Sequence, residues 1–281
     1  MERFYSAQSL REQVRTWRQA GDRIAFVPTM GALHEGHLTL IRRGKEIADR
    51  VVVSIFVNPT QFGEGEDLEA YPRDEEGDCE KCGSTGADAV FLPSVETLYP
   101  PGEETWVITE KLPHHLCGKR RPGHFRGVTT VCTKLFHIVD PDVAVFGSKD
   151  FQQVQVIRKM VRDLCMNLTI EAVETVRESD GLARSSRNAY LTEEERRLAP
   201  VLYRVLHETR EAVRDGKTSS KELISRGISQ IEAAGGRIDY LEIVDPETLE
   251  AADPVQPDSH MLVAAFFGRA RLIDNLTLRV Q

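Results

Sequence analysis

No run of apolar residues approaches the roughly 20 that a membrane-spanning helix needs; the longest, 51–57 and 261–267, fall far short. Cysteine is scarce. Five thiols, an odd number spread from Cys79 to Cys165, suit a reducing compartment better than a disulfide framework. Cys79 and Cys82 form a CxxC, but no second pair stands at zinc-finger spacing, so they read as two thiols in a helical segment. The N-terminal stretch MERFYSAQSL has an acid at Glu2 and no apolar core, unlike a secretory signal, and the expected location is the cytoplasm. Cations are in deficit: 36 Lys and Arg against 44 Asp and Glu leave a net charge of −8, the wrong sign for nucleic acid as principal partner. Gly (20) and Pro (13) are scattered rather than clustered, which excludes disorder and collagen-like repeats, and no internal repeat is present. Also missing are GxGxxG and GxxxxGK[ST], the two common glycine-rich phosphate loops.

What remains is an ordinary globular composition, 41% hydrophobic and 28% charged over 281 residues, enough for about two domains. Ser9 and Glu12 read as a capping box opening a helix that stops near Gly21. A strand at 23–27, an amphipathic helix ending near Asp49 and the β-branched run at 51–57 make a βαβ unit with a buried parallel strand. Helices expected at 74–82, 128–139 and 151–164 alternate with strands at 88–92, 143–146 and 168–175. That rhythm predicts a Rossmann-like, doubly wound parallel α/β sheet over residues 1–176, with ligands beyond the carboxyl ends of its strands. Helices at 192–213 and 219–234 followed by strands at 238–244, 261–267 and 271–276 predict a second, smaller α+β domain over 177–281.

Five polar clusters stand out along the chain. After the first strand, PTMGALHEGH carries His34 and His37 three apart at a helix start, where free N–H groups and two imidazoles can meet phosphate oxygens. Simple helix capping and a zinc pair are the other readings; the latter lacks HExxH spacing and an evident third ligand. The run 118–128 gathers four cations and His124 ahead of a helix, either for an anion or for solvent. Gly147, Ser148, Lys149, Asp150 and Gln153 stand at a strand end, with Lys149 as a point charge for phosphate and Asp150 as a hydrogen-bond partner for a nucleotide or a plain helix cap. Two hydroxyls and two guanidiniums in Arg184, Ser185, Ser186 and Arg187 suit a loop closing on a triphosphate, or a solvated linker. Gln61, in NPTQF, leaves the second strand.

In this order PTMGALHEGH, NPTQF, YPRD, RPGHFRGV, FGSKDFQQ and GLARSSRN resemble the pantoate–β-alanine ligases, or pantothenate synthetases, of the HxGH nucleotidyltransferase superfamily. The resemblance runs from about Arg23 to Leu191. It implies ATP-dependent condensation of pantoate with β-alanine through an enzyme-bound pantoyl adenylate, in a cytoplasmic homodimer whose C-terminal domain acts as a lid. It further implies that Met30, Gly31, Ala32, Leu33, His34, Glu35, Gly36 and His37 bind ATP. His34, His37 and Lys149 would be catalytic, with His37 the family's assigned proton donor. Phosphoryl transfer to a carboxylate needs no proton on the nucleophile, so charge stabilisation is the expected role. Gly147, Ser148, Lys149, Asp150 and Val176 match adenosine-binding stretches, with Lys149 also reaching toward the phosphates, and Arg184, Ser185, Ser186 and Arg187 match the loop replacing the synthetases' KMSKS element. Gln61 and Gln153 match the pantoate glutamines, with Gln61 also near β-alanine. Arg184 and His137 depart from the family's usual residues, and His137 is expected to be structural. Mg²⁺ is implied by ATP rather than by any acidic motif. Rival readings are a nucleotidyltransferase acting on another small acid, a zinc hydrolase and a non-catalytic nucleotide-binding regulator.

Overall fold

The computed structural model describes residues 1–278. It opens with a short strand, β1 (Glu2–Phe4), that no sequence periodicity announces, because only its parallel pairing with residues 89–91 defines it. α1 (Ala7–Gln19) begins one turn earlier than expected: Ser6, in extended conformation, is the cap and accepts from the Ser9 amide, while Glu12 is engaged by Gln8 on the exposed face. β2 (Ile24–Thr29), α2 (Glu35–Ile47) and β3 (Arg50–Ile55) form the anticipated βαβ unit. α3 (Glu75–Thr85) is capped by Asp74 and closed by Gly86 at φ 98°, a left-handed stop that glycine takes without strain. β4 (Ala89–Phe91) follows, then the one-turn α4 (Val95–Leu98) and α5 (Leu116–Arg120). α6 (His124–Val139) starts four residues before the expected position, because Gly123 at φ 85° turns the chain directly into it.

β5 (Val143–Gly147), α7 (Phe151–Asp163) and β6 (Thr169–Val173) complete the larger sheet. The single helix expected over 192–213 is two, α8 (Glu193–Leu198) and α9 (Val201–Arg214), divided at Pro200, which has no amide hydrogen to continue the first. α10 (Ser220–Ala233) precedes β7 (Arg237–Val244), β8 (His260–Phe267) and β9 (Ala270–Thr277).

The six-stranded sheet runs β1-β4-β3-β2-β5-β6, every neighbouring pair parallel, and the second sheet is an antiparallel β7-β8-β9 meander. From β2 the chain moves first to β3 on one side and later to β5 on the other. The order therefore reverses between β2 and β5, which opens a crevice at their carboxyl ends. Period-two alternation divides the strands between two cores. Ile24 and Phe26 pack toward α1, α6 and α7, whereas Ala25 and Val27 pack toward α2 and α3 beside Cys79 and Cys82. Those two thiols are fully buried, and burial pushes Cys82 up to about 12, so the CxxC serves as core packing.

The small sheet also alternates. Leu241, Ile243, Met261 and Val263 meet its own helices, while Tyr240, Val244, Leu262 and Ala264 join the core of the larger unit. Val244 and Leu262 buried this way contribute about 1.5–3 kcal/mol each, so the second sheet is docked rather than tethered. The stretch 177–188, one reading of which was a solvated linker, instead makes a bridge between Arg177 and Ala183 and buries Leu182 and Ala183.

Candidate active site

Beyond β2 the chain makes a loop that needs outside support. Gly31 (φ 85°) and Ala32 (φ 51°) are both left-handed, and only the first is a glycine. Support comes from Asp78 of α3, 1% exposed, whose two carboxylate oxygens accept from the Ala32 and Leu33 amides at 2.7 and 2.8 Å. Sequence reading missed Asp78. The available signal was its spacing of one helical turn from Cys82, which places an acid on a buried face.

His34 caps α2. Its Nδ1 accepts from the Gly36 amide at 3.1 Å, and Nδ1 of His37 accepts from the His34 amide at 3.3 Å. A nitrogen that accepts from a backbone N–H carries no proton, so each neutral ring bears its hydrogen on Nε2. The ring centroids lie 4.2 Å apart. Burial, reinforced by Lys149 and Arg184, lowers His34 to about 4; burial, reinforced by His34 and Lys149, lowers His37 to about 3. Both imidazoles are neutral hydrogen-bond donors at neutral pH. Gly36 is demanded by this geometry: a Cβ there would stand 2.8 Å from His34 Cε1.

Across the crevice, the turn Ser148–Asp150 leaves β5. Lys149 is largely buried, and among the described residues the one carboxylate in ion-pair range of its ammonium is Asp150, at 3.9 Å. Asp150 makes no side-chain cap to α7, which excludes the helix-cap reading. Gln61 is 9% exposed; its Oε1 accepts from Asn58 Nδ2 at 3.0 Å and its Nε2 lies 3.1 Å from Met30 Sδ. Helix α6 can approach this turn because residue 127 is glycine; any Cβ would strike the Thr60 carbonyl. Of the two glutamines opening α7, Gln152 is buried and bonded to the Leu112 and His115 carbonyls and the Gly118 amide, while Gln153 faces the cavity.

The basic run divides. Arg121 forms a bidentate pair with Glu66 (2.7 and 2.5 Å), and its Nη1 donates to His124 Nε2 at 3.1 Å, while His124 Nδ1 donates to the Gln61 carbonyl at 2.8 Å. Lys119 is exposed, and Arg126 lies over the Trp106 ring at 4.5 Å. In the following loop Arg184 pairs with Glu178 at 3.0 Å, Ser185 accepts from the Arg187 amide, and Arg187 pairs with Asp67.

An inner cavity of about 230 Å³ is lined by Met30, His34, His37, Gln61, Lys149 and Gln153, together with Gly36, Gly147, Asp150, Val176 and Arg184 to Arg187. An outer cavity of about 740 Å³ shares Lys149, Asp150, Gln153, Ser185 and Arg187 and extends to the small sheet. The inner one alone is below the usual range for small-molecule sites, and the two joined reach it. Not every candidate lines them. Gly31, Ala32 and Leu33 build the loop on Asp78 instead, Glu35 points away to Arg42 at 2.5 Å, and Ser148 contributes its backbone. His137, expected to be structural, is an exposed residue of α6. Among the described residues no group of three or more His, Cys, Asp or Glu is placed to hold a metal, and none of the helices is long and apolar enough to cross a membrane.

The family model described as pantoate-beta-alanine ligase matches residues 2–277. Similar proteins include the pantothenate synthetases of Myxococcus xanthus, 54% identical over 264 residues (93% of this chain, 90% of that one), and Desulfatibacillum aliphaticivorans, 52% identical over 262 residues (93% of each). Among solved structures, pantothenate synthetase from Thermus thermophilus superposes with a TM-score of 0.94 at 45% identity, covering 99% of this chain and 100% of that one. The Francisella tularensis pantoate-beta-alanine ligase, complexed with beta-gamma ATP and beta-alanine, superposes with a TM-score of 0.83 at 33% identity, covering 99% and 98%. A match over nearly the whole chain in sequence, and over the fold that builds this crevice, leaves one conclusion: the chain belongs to the pantoate–β-alanine ligase family and is a ligase.

Proposed function

We propose that the protein joins pantoate to β-alanine at the expense of ATP in two steps, through a pantoyl adenylate. The observation that carries this reading is the neutral imidazole pair, with both Nε2–H groups free of backbone duties, on the same cavity as the Lys149 ammonium. In the first step a pantoate carboxylate oxygen attacks the α-phosphorus of ATP, and the bond to the β-phosphate oxygen breaks to release pyrophosphate. Nothing on the nucleophile needs deprotonating, so positioning and charge neutralisation are the work required. His34 and His37 donate hydrogen bonds to phosphate oxygens, and Lys149 with Arg187 neutralises the departing charge. A neutral His37 with a pKa near 3 fits this role better than that of proton donor. In the second step the β-alanine amine attacks the acyl carbon, forms the C–N bond and expels AMP while losing its proton.

Gln61 and Gln153 hold pantoate, Gln61 also borders the amine, and Gly147 and Val176 flank the adenosine. Ser185 and Ser186 accompany the arginines of the closing loop. Asp150, which makes no side-chain cap and lines both cavities, is the carboxylate that would hold Mg²⁺. Bound there, the ion would further neutralise phosphate charge. Residues 1–176 form the substrate domain and 177–281 the lid that keeps water from the adenylate, in a cytoplasmic homodimer; sedimentation of the purified chain tests the last point. The central test is exchange of labelled pyrophosphate into ATP without β-alanine. Exchange that requires pantoate and falls at least 100-fold in His34→Ala and His37→Ala is expected, the order lost with one oxyanion-type donor. Folded, ATP-binding protein showing no exchange would exclude the adenylate.

A further inference from the structure

The phosphate-side turn is held by a side chain from the other sheet. Asn275 of β9, 6% exposed, donates through Nδ2 to the carbonyl oxygens of Ser148 at 3.0 Å and Lys149 at 2.8 Å. Those two oxygens belong to the peptide units immediately before and after the Lys149 Cα. Because each unit is planar, holding both oxygens on one nitrogen restrains the backbone torsions on either side of the Lys149 Cα.

The orientation of that amide is itself determined. With both amide hydrogens on carbonyls, Oδ1 is the atom facing His260 Nε2 at 2.8 Å. An acceptor there places the ring hydrogen on Nε2, and Nδ1 accepts from the Thr277 hydroxyl at 3.0 Å. The ring, 5% exposed, stacks on Phe151 with centroids 3.7 Å apart and planes 13° from parallel. Phe151 is the first residue of α7, directly after the turn. A directional chain thus runs from Thr277 through His260 and Asn275 to the backbone around Lys149. The Asn275 amide has no hydrogen left for a ligand, and its backbone N–H lies 2.8 Å from Asp274 Oδ1.

We propose that Asn275, oriented by His260, is the positioning residue for Lys149, clamping the peptide units on both sides of it so that the ammonium meets the phosphates of ATP. This inference rests on the reading of Lys149 as a phosphate ligand. It is tested by a double-mutant cycle on the full chain, with kcat/KM for ATP read in the exchange reaction and Tm read in parallel. Asn275→Ala should lower kcat/KM roughly 10–100-fold, the scale of a misplacement near 1 Å, and should change it less than about twofold when Lys149→Ala is already present. Equal losses in both backgrounds would overturn the positioning role. If Lys149→Ala alone leaves kcat/KM unchanged, the phosphate-ligand reading fails instead, whatever Asn275 does. His260→Leu should reproduce the Asn275→Ala loss, and His260→Gln, which keeps a donor toward Asn275, should restore most of it. Should Asn275→Ala not fold, the same cycle with isosteric Asn275→Asp, which sets a carboxylate against two carbonyls, decides between these outcomes.

Discussion

Gly36 and Asp78 show how much of the site depends on residues that touch no reacting atom. Gly36 lies in helical conformation, so alanine there has no backbone penalty and gains up to about 1 kcal/mol of helix propensity. Its methyl group, however, would displace the His34 ring from its cap. The lost cap offsets the propensity gain, so Gly36→Ala is expected to leave Tm little changed while pyrophosphate exchange falls at least tenfold; thermal melts beside the exchange assay separate the two effects. Asp78→Ala should lower stability instead. Two buried amides would lose their acceptor, at a cost of about 2–4 kcal/mol, and Ala32 would be left in a left-handed conformation without support. Urea titration should show the midpoint falling, and ATP affinity should fall with it. A midpoint unchanged in Asp78→Ala would mean that the loop is held by something else.

At the scale of elements, α7 separates neighbouring residues by about 100° of rotation, and this decides the roles of an adjacent pair that composition cannot distinguish. Gln152, 4% exposed, is held by interior carbonyls at the rim of the outer cavity, and Gln153 is turned into the inner cavity. Gln152→Ala should cost about 2–3 kcal/mol, the price of leaving buried carbonyls unpaired, with KM for pantoate within about twofold of the parent. Gln153→Ala should leave Tm within a degree or two and raise KM for pantoate severalfold; the opposite pattern would exchange the two roles. Most elements were legible from periodicity, because buried parallel strands and amphipathic helices carry strong patterns. The misplacements share a cause. The cap of α1, the start of α6 and the division at Pro200 are set by one residue's backbone geometry, and Ser6 and Ser9 are equally good caps on paper. β1 was invisible, since three residues cannot display a period.

Across the whole molecule, buried neutral histidines set the response to acid. His124 and His260, both under 10% exposed, are lowered to about 4 from the ordinary 6.5, by burial in each case and by Arg121 as well in the first. Folded, they stay neutral while the unfolded chain takes up protons below about pH 6.5. Their stabilisation is complete above that pH and is lost progressively as pH falls toward 4. These two alone predict about 2 kcal/mol less stability at pH 5.5 than at pH 7, and His34 and His37 act in the same direction. Asp274, whose carboxyl burial pushes upward against the pull of Arg177, opposes this nearer the carboxylate range. Denaturant midpoints at the two pH values measure the difference, and a flat profile would contradict neutral burial of these rings.

The fold class, the alternation of strands and helices after β1 and the residue types of the polar clusters were determined by the sequence itself, through periodicity and through local chemistry carried in the side chains. Contacts across long stretches of chain were decided only by tertiary structure. Asp78 reaches the loop before α2, Arg121 and His124 reach Gln61, and Asn275 reaches the turn holding Lys149. Such pairings leave no periodic trace, because they depend on which residues the reversal between β2 and β5 and the docking of the second sheet bring within hydrogen-bonding distance. The same distinction separates Lys119, exposed, from Arg121, which lines the cavity only two positions later.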